Sequence, residues 1–391
     1  MVKRLSISLL VFALGLTGVQ AAALDVSLVK EAKASLERGA EFLLSEQEEN
    51  GSWMDEPAIT ALAVTALHQS GVKEHADDIR KAVNGGRGYI LDYVRKDGSI
   101  AGTKSKYVNY TTAICLTALA TVNHPDDRDI MREARRFLIA MQLDEDHPEH
   151  PTSPDNPFYG GIGYGSAGPT RPDLSNTQWA LEALHMTEHL DKDTPYSKES
   201  ELAWKRAMQF VKEVQNVPED AGPTWVVSKA DNPNMDGGGI YKPNESKVNG
   251  KIADPESDAR GGLRAYGSMT YAGLKSMIYA DLDKDDYRVQ AAVDWARRHY
   301  TLDENPVIGA EGHYYYLQTF AKAMDAFGKD KLTTADGETR SWRADLVRKV
   351  LELQRPGGHW LNKRSGRWME SIPPLVTSYA MIAMEVALND E

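Results

Sequence analysis

The 391-residue sequence holds a single cysteine, Cys115. That excludes an internal disulfide framework and any zinc site built on two thiolates. Basic residues are in deficit: 45 Lys plus Arg stand against 57 Asp plus Glu, a formal net charge of −12, with no basic block. Phosphate backbones are held by clustered Lys and Arg, so no nucleic-acid partner is expected. After the first 23 residues no apolar run approaches the roughly 20 residues that cross a bilayer. Apolar residues still make up 41% of the chain, too many for a disordered polymer.

Lys3 and Arg4 precede an apolar stretch from Leu5 to about Val19, followed by Ala21-Ala22-Ala23. Positive, then apolar, then small is the order of a secretory signal peptide, cleaved around Ala21 to Ala23. The expected organisation is a leader over 1–23 and one domain over 24–391. The mature protein is expected to be exported, periplasmic or extracellular, with no membrane span.

Internal repeats organise the rest. TALAVTAL from Thr60 is echoed by TAICLTAL from Thr112, TQWALEAL from Thr177 and TYAGLKSM from Thr270. LQTFAKAM from Leu317 and TSYAMIAM from Thr377 complete six. Small and apolar nearly all round, each octamer reads as a helix buried on every side. Charged amphipathic segments lie between them: Val29–Leu44, His75–Tyr93, Ile130–Met141, Glu201–Val214, Tyr287–His299 and Arg343–Leu353. Glycine-rich turns join outer to inner helix. Six outer and six inner helices predict an all-α fold, an (α/α)6 toroid, with an open superhelix as the rival. An insertion at about 218–262, carrying Trp225 and Tyr241, reads as an ordered lid.

The turns resemble the QW motif of squalene and oxidosqualene cyclases and of protein prenyltransferase β subunits. Gln47 to Trp53 and Gln354 to Trp360 are the best copies; Gln142 and Gln215 precede weaker ones, with Tyr164 and Tyr241 read at the Trp position. The chain looks most like exported bacterial prenyltransferase/squalene oxidase repeat proteins. The resemblance implies that Trp53 and Trp360 pack structurally. Neither family chemistry carries over. In place of the cyclase acids of D-x-D-D-T the chain has Asp173-Leu174-Ser175-Asn176-Thr177, and a serine hydroxyl cannot protonate an alkene. Arg264 and Tyr266 stand where the transferases carry zinc ligands, leaving His313 alone, whereas zinc needs three or four. No thioester motif of the complement type is present, and Cys115 reads as core. No metal or other cofactor is expected, and the run Asp281, Asp283, Asp285 and Asp286 reads as a solvated turn.

Parallel inner helices gather their N-termini on one rim, with unpaired N–H groups and partial positive charge. The rim residues in sequence are Asp55, Glu56, Tyr107, Tyr110, Asp173, Asn176, Arg264, Glu311, His313 and Glu370. Asp173, His313 and Glu370 are the candidate catalytic groups. Asp55, Tyr110, Asn176, Arg264, Tyr271, Glu311 and Tyr314 are the candidate ligand contacts. For each acid, helix capping is the competing role. Three functions follow in order: an apolar, isoprenoid-like ligand in the cavity; a glycan-active enzyme using rim carboxylates such as Asp55, Asp173, Glu311 and Glu370; or a non-catalytic binding scaffold.

Overall fold

The computed structural model describes residues 24–165, 171–218, 235–251 and 262–389. The leader, and Trp225 with most of the insertion, fall outside the described residues. Hairpins follow in order, outer helix first: α1 (Val26–Ser45) and α2 (Pro57–Gln69), α3 (Ala76–Leu91) and α4 (Val108–Val122), α5 (Arg128–Ala140) and α6 (Leu174–Met186). Then come α7 (Ser197–Glu213) and α8 (Gly267–Tyr279), α9 (Tyr287–Arg298) and α10 (His313–Phe327), α11 (Trp342–Leu353) and α12 (Pro373–Leu388). Among the described residues two short antiparallel hairpins interrupt the helices: β1 (Glu245–Ser246) with β2 (Gly250–Lys251), and β3 (Lys331–Thr333) with β4 (Thr339–Ser341).

The inner helices pack in sequence, α2 on α4 and so on to α10 on α12, and α12 returns to pack on α2. The ring is closed. The open superhelix is excluded, and the fold is an all-α (α/α)6 toroid. Burial explains the composition of the inner helices: every α2 residue from Pro57 to Leu67 is buried, so no face of that helix can carry charge to water. Cys115 is buried in α4 as core.

The threonine opening five of the octamers faces outward and receives the backbone N–H of the turn above it. Trp53, Ile100, Ile162, Gly239 and Trp360 donate to Thr60, Thr112, Thr177, Thr270 and Thr377 at 2.9–3.1 Å. This register corrects the reading of the weaker turns. Ile162 and Gly239, not Tyr164 and Tyr241, occupy the tryptophan position, because the turn glycine, not the next aromatic, sets the spacing. In the fourth turn Trp295 of α9 supplies the indole instead, against Gly238 and donating to Asp236 at 2.8 Å. Trp53 and Trp360 are fully buried and donate to the carbonyls of Leu43 and Val350, both at 2.8 Å.

The four turn glutamines act as stitches. Each amide donates to a glycine carbonyl of its own turn and to a backbone carbonyl of a neighbouring outer helix: Gln47 to Ala82, Gln142 to Ala203, Gln215 to Arg288 and Gln354 to Ser35. Replacing Gln142 by leucine should cost about 1–3 kcal/mol in urea denaturation, since it strips a donor from two carbonyls in a buried joint.

With the octamer's first residue pointing outward, residues two before and five after it fall on the opposite side of the helix at 100° per residue. They face the axis of the ring. The upper level includes Tyr110, Ser175 and Tyr315; the lower includes Thr65, Thr117, Glu182, Lys275 and Lys322. Contacts across the ring agree, with Ser175 of α6 bonded to Tyr315 of α10 at 3.1 Å and Glu182 of α6 paired with Lys322 of α10.

Candidate functional site at the rim

The rim is where the chain departs from its own regularity. Met54 and Asp55 are consecutive left-handed residues (φ 61° and 50°), as are Trp368 and Met369 (φ 56° and 65°). Such backbone costs about 1–3 kcal/mol per residue and concentrates at functional sites. The two strained pairs lie in the loops entering α2 and α12, which are neighbours in the ring. Large apolar side chains are exposed in the rim loops: Met54, Tyr107, Tyr164, Trp368 and Met369. Together they form an apolar and aromatic collar, in which Tyr107 and Tyr164 meet edge to face at 5.3 Å and Tyr164 lies 6.2 Å from Tyr110.

A cleft of about 770 Å³ opens on this collar, lined by Asp55, Glu56, Asp92, Tyr93 and Tyr107 among others. Asp55 Oδ1 accepts the Tyr89 hydroxyl at 2.9 Å, and Tyr89 in turn meets the Tyr93 hydroxyl at 2.9 Å. Partial desolvation raises the Glu56 carboxyl above its ordinary range; the Ala58 N–H opposes this and the Asp55 charge adds to it. Two adjacent carboxylates thus differ in environment, one held by a phenol and the other pushed toward its protonated form.

The candidates from sequence fare unequally. Asp173 is fully buried as the N-cap of α6, accepting the Asn176 N–H at 2.9 Å and the Asn176 side-chain amide at 2.7 Å. Burial raises its carboxyl, with Asn176 and Lys242 opposing. His313 donates Nε2–H to the Leu302 carbonyl at 2.8 Å and is pulled below its usual range by burial. Glu370 caps α10, accepting Tyr315 N–H at 2.8 Å and the Asn362 amide at 2.6 Å. These three hold helix ends and loops, and none of them lines the cleft at Asp55 and Glu56. Tyr271 is buried in the seam between α8 and α10 against Tyr316 and Phe320, away from the rim. Tyr314 is buried beside His313; of the three successive tyrosines it is Tyr315 that faces the axis. Arg264 is exposed in the loop before α8, and Glu311 is paired with Arg367 before α10. Asp55 and Tyr110 lie at the collar.

Glu370 makes a pH prediction. Burial lifts its carboxyl from 4.5 to about 7 despite the N–H groups it accepts. The folded state therefore holds a proton that the unfolded chain has released, and stability falls as pH rises between these values. Glu370→Gln should remove a pH-dependent loss of order 3 kcal/mol, visible as a flatter stability profile from pH 5 to 8 than the parent shows.

Sequence reasoning missed the axis. Glu182 is buried between Lys275 and Lys322 and pairs with both. Burial works to raise the Glu182 carboxyl, but the two ammonium groups overcome it and hold it at about 2. Glu385 of α12 is buried nearby with neither oxygen hydrogen-bonded. Glu182, Lys275 and Lys322 are each the sixth residue of an octamer, which is the signal that could have found them.

No protein-family model and no curated protein matches the sequence. Solved structures do. The GH76A α-1,6-mannanase of Salegentibacter, as an inactive variant in complex with α-1,6-mannotriose, is 9% identical, covers 91% of this chain and 99% of its own, and gives a TM-score of 0.56. A possible member of the GH105 family from Salmonella enterica is 11% identical over 97% of this chain and 99% of its own, at 0.56. A variant of the type II terpene cyclase MstE from Scytonema is 12% identical over 92% and 97%, at 0.53. The chain therefore has the α/α toroid fold that terpene cyclases share with glycan-active enzymes. At such identities the chemistry rests on this chain's own residues.

Proposed function

We propose that this toroid binds and hydrolyses a glycan in the rim cleft, with Glu56 as proton donor and Asp55 as its partner carboxylate. The observation that carries this reading is the carboxylate pair lining a cleft with Tyr93 and Tyr107, Asp55 on left-handed backbone and Glu56 on extended backbone beside it. Glycoside hydrolysis uses one carboxyl kept protonated and one kept ionised. The upward shift at Glu56 runs in the direction of the first role, and Asp55, which accepts the Tyr89 hydroxyl, is the second carboxyl of the cleft. Exposed Tyr107, Tyr164 and Trp368 offer the flat apolar faces on which sugar rings stack. The leader pattern at Lys3 to Ala23 suits an exported enzyme meeting extracellular glycan.

An isoprenoid in the ring is the less favoured reading. Its hydrocarbon would lie along an axis that carries Glu182, Lys275 and Lys322, and charge against hydrocarbon is costly. The test is a panel of soluble oligosaccharides, read by reducing-end release and by calorimetric binding. Glu56→Gln should lower turnover by about a hundredfold or more with binding retained, and Asp55→Asn should do likewise. Absence of saccharide binding by the parent, or full activity in both variants, would discard the site.

A further inference from the structure

The opposite face carries a second cavity, of about 1060 Å³, where the inner helices α6 and α8 end. Its aromatic floor is a stack of His185 on Tyr279, 4.2 Å apart with planes 5° from parallel, and Trp204 of α7 lines the side. The charges around it do not balance. Asp191 is engaged by Arg135 at 2.8 Å, Glu201 by Lys205 at 2.6 Å and Arg288 by Asp286 at 2.7 Å. Glu188, Asp193 and Asp281 then stand against Lys192. Two helix C-termini add carbonyl dipoles of the same negative sign. Burial holds the His185 imidazole toward its neutral form, opposed by Glu188, Asp281 and Glu182, so it contributes no compensating charge. Its Nδ1 is buried without a hydrogen-bond partner.

We propose that this cavity binds a primary organic ammonium, with the cation between Glu188 and Asp281 and the apolar body against the Tyr279–His185 stack and Trp204. The sign of the site rejects anions. The aromatic floor contributes cation–π attraction and covers the ligand's apolar part. A bare dication is the poorer fit: among the described residues the group with ligand atoms close enough for a metal is Glu37, Glu41 and His75, elsewhere on the surface. The site is separate from the rim cleft and stands or falls independently of it.

Calorimetry with benzylamine against benzyl alcohol tests the proposal, since the pair differs in the ammonium alone. Benzylamine should bind saturably at one site per chain and benzyl alcohol should not. Glu188→Gln with Asp281→Asn, both at surface positions, should weaken benzylamine at least tenfold with the circular dichroism spectrum unchanged, and added salt should weaken it in the parent. Absence of saturable benzylamine heat, equal binding of the alcohol, or undiminished binding in the double variant would overturn it.

Discussion

Replacing Glu182 by alanine should destabilise the protein by about 3–5 kcal/mol, the cost of leaving buried charge without its partner. Lys275 is 1% exposed and Lys322 mostly buried, and both ammonium groups are bonded to the one carboxylate. Even with that partner, burial pulls the Lys275 amine down to about 8. Without it the amine should shed its proton at lower pH, so the loss should shrink when unfolding is measured above pH 8. The same physics predicts the opposite result for a concerted change. Glu182→Leu with Lys275→Met and Lys322→Met removes the desolvation cost along with the pairing, and should be neutral or stabilising. A single substitution that is harmless, together with a triple one that unfolds the chain, would contradict this account of the axis.

Gly160→Ala should be equally severe, at about 3–5 kcal/mol, from two sources that add. Gly160 has φ of +83°, and a Cβ there would overlap the Arg206 carbonyl oxygen of α7. The obstacle is backbone, which cannot swing aside as a side chain can. Urea unfolding monitored by circular dichroism should show the midpoint falling with an unchanged slope. Gly88→Ala provides the contrast: nothing lies within 4 Å of the added carbon, and helix propensity favours alanine by up to about 1 kcal/mol.

The toroid was legible because its repeats are stamped by one backbone requirement. A turn N–H needs an acceptor, and the threonine that supplies it recurs at the head of five octamers. Which face of an inner helix meets the axis was not legible in the same way. Helices buried on every side lack the polar stripe that reveals phase, so Tyr314 was favoured where Tyr315 is the residue that reaches inward. The charges at Glu182, Lys275 and Lys322 break that uniformity and mark the phase once the octamers are aligned. Among the rim acids, capping and catalysis ask for the same residue type at the same position. Sequence could not separate Asp173, spent on Asn176, from Asp55 at an open cleft.

The joint between the sixth hairpin and the first is built like the other three that a glutamine stitches. Gln354 donates to the Ser35 carbonyl of α1, Gly358 presses on the Arg38 carbonyl, and Trp360 lies against Gly39. An open stack has terminal units with one neighbour each, and these fray first. Here every hairpin is flanked on both sides, so no unit can detach without breaking two joints at once. Melting should therefore be a single cooperative event, with tryptophan fluorescence and helical signal lost together.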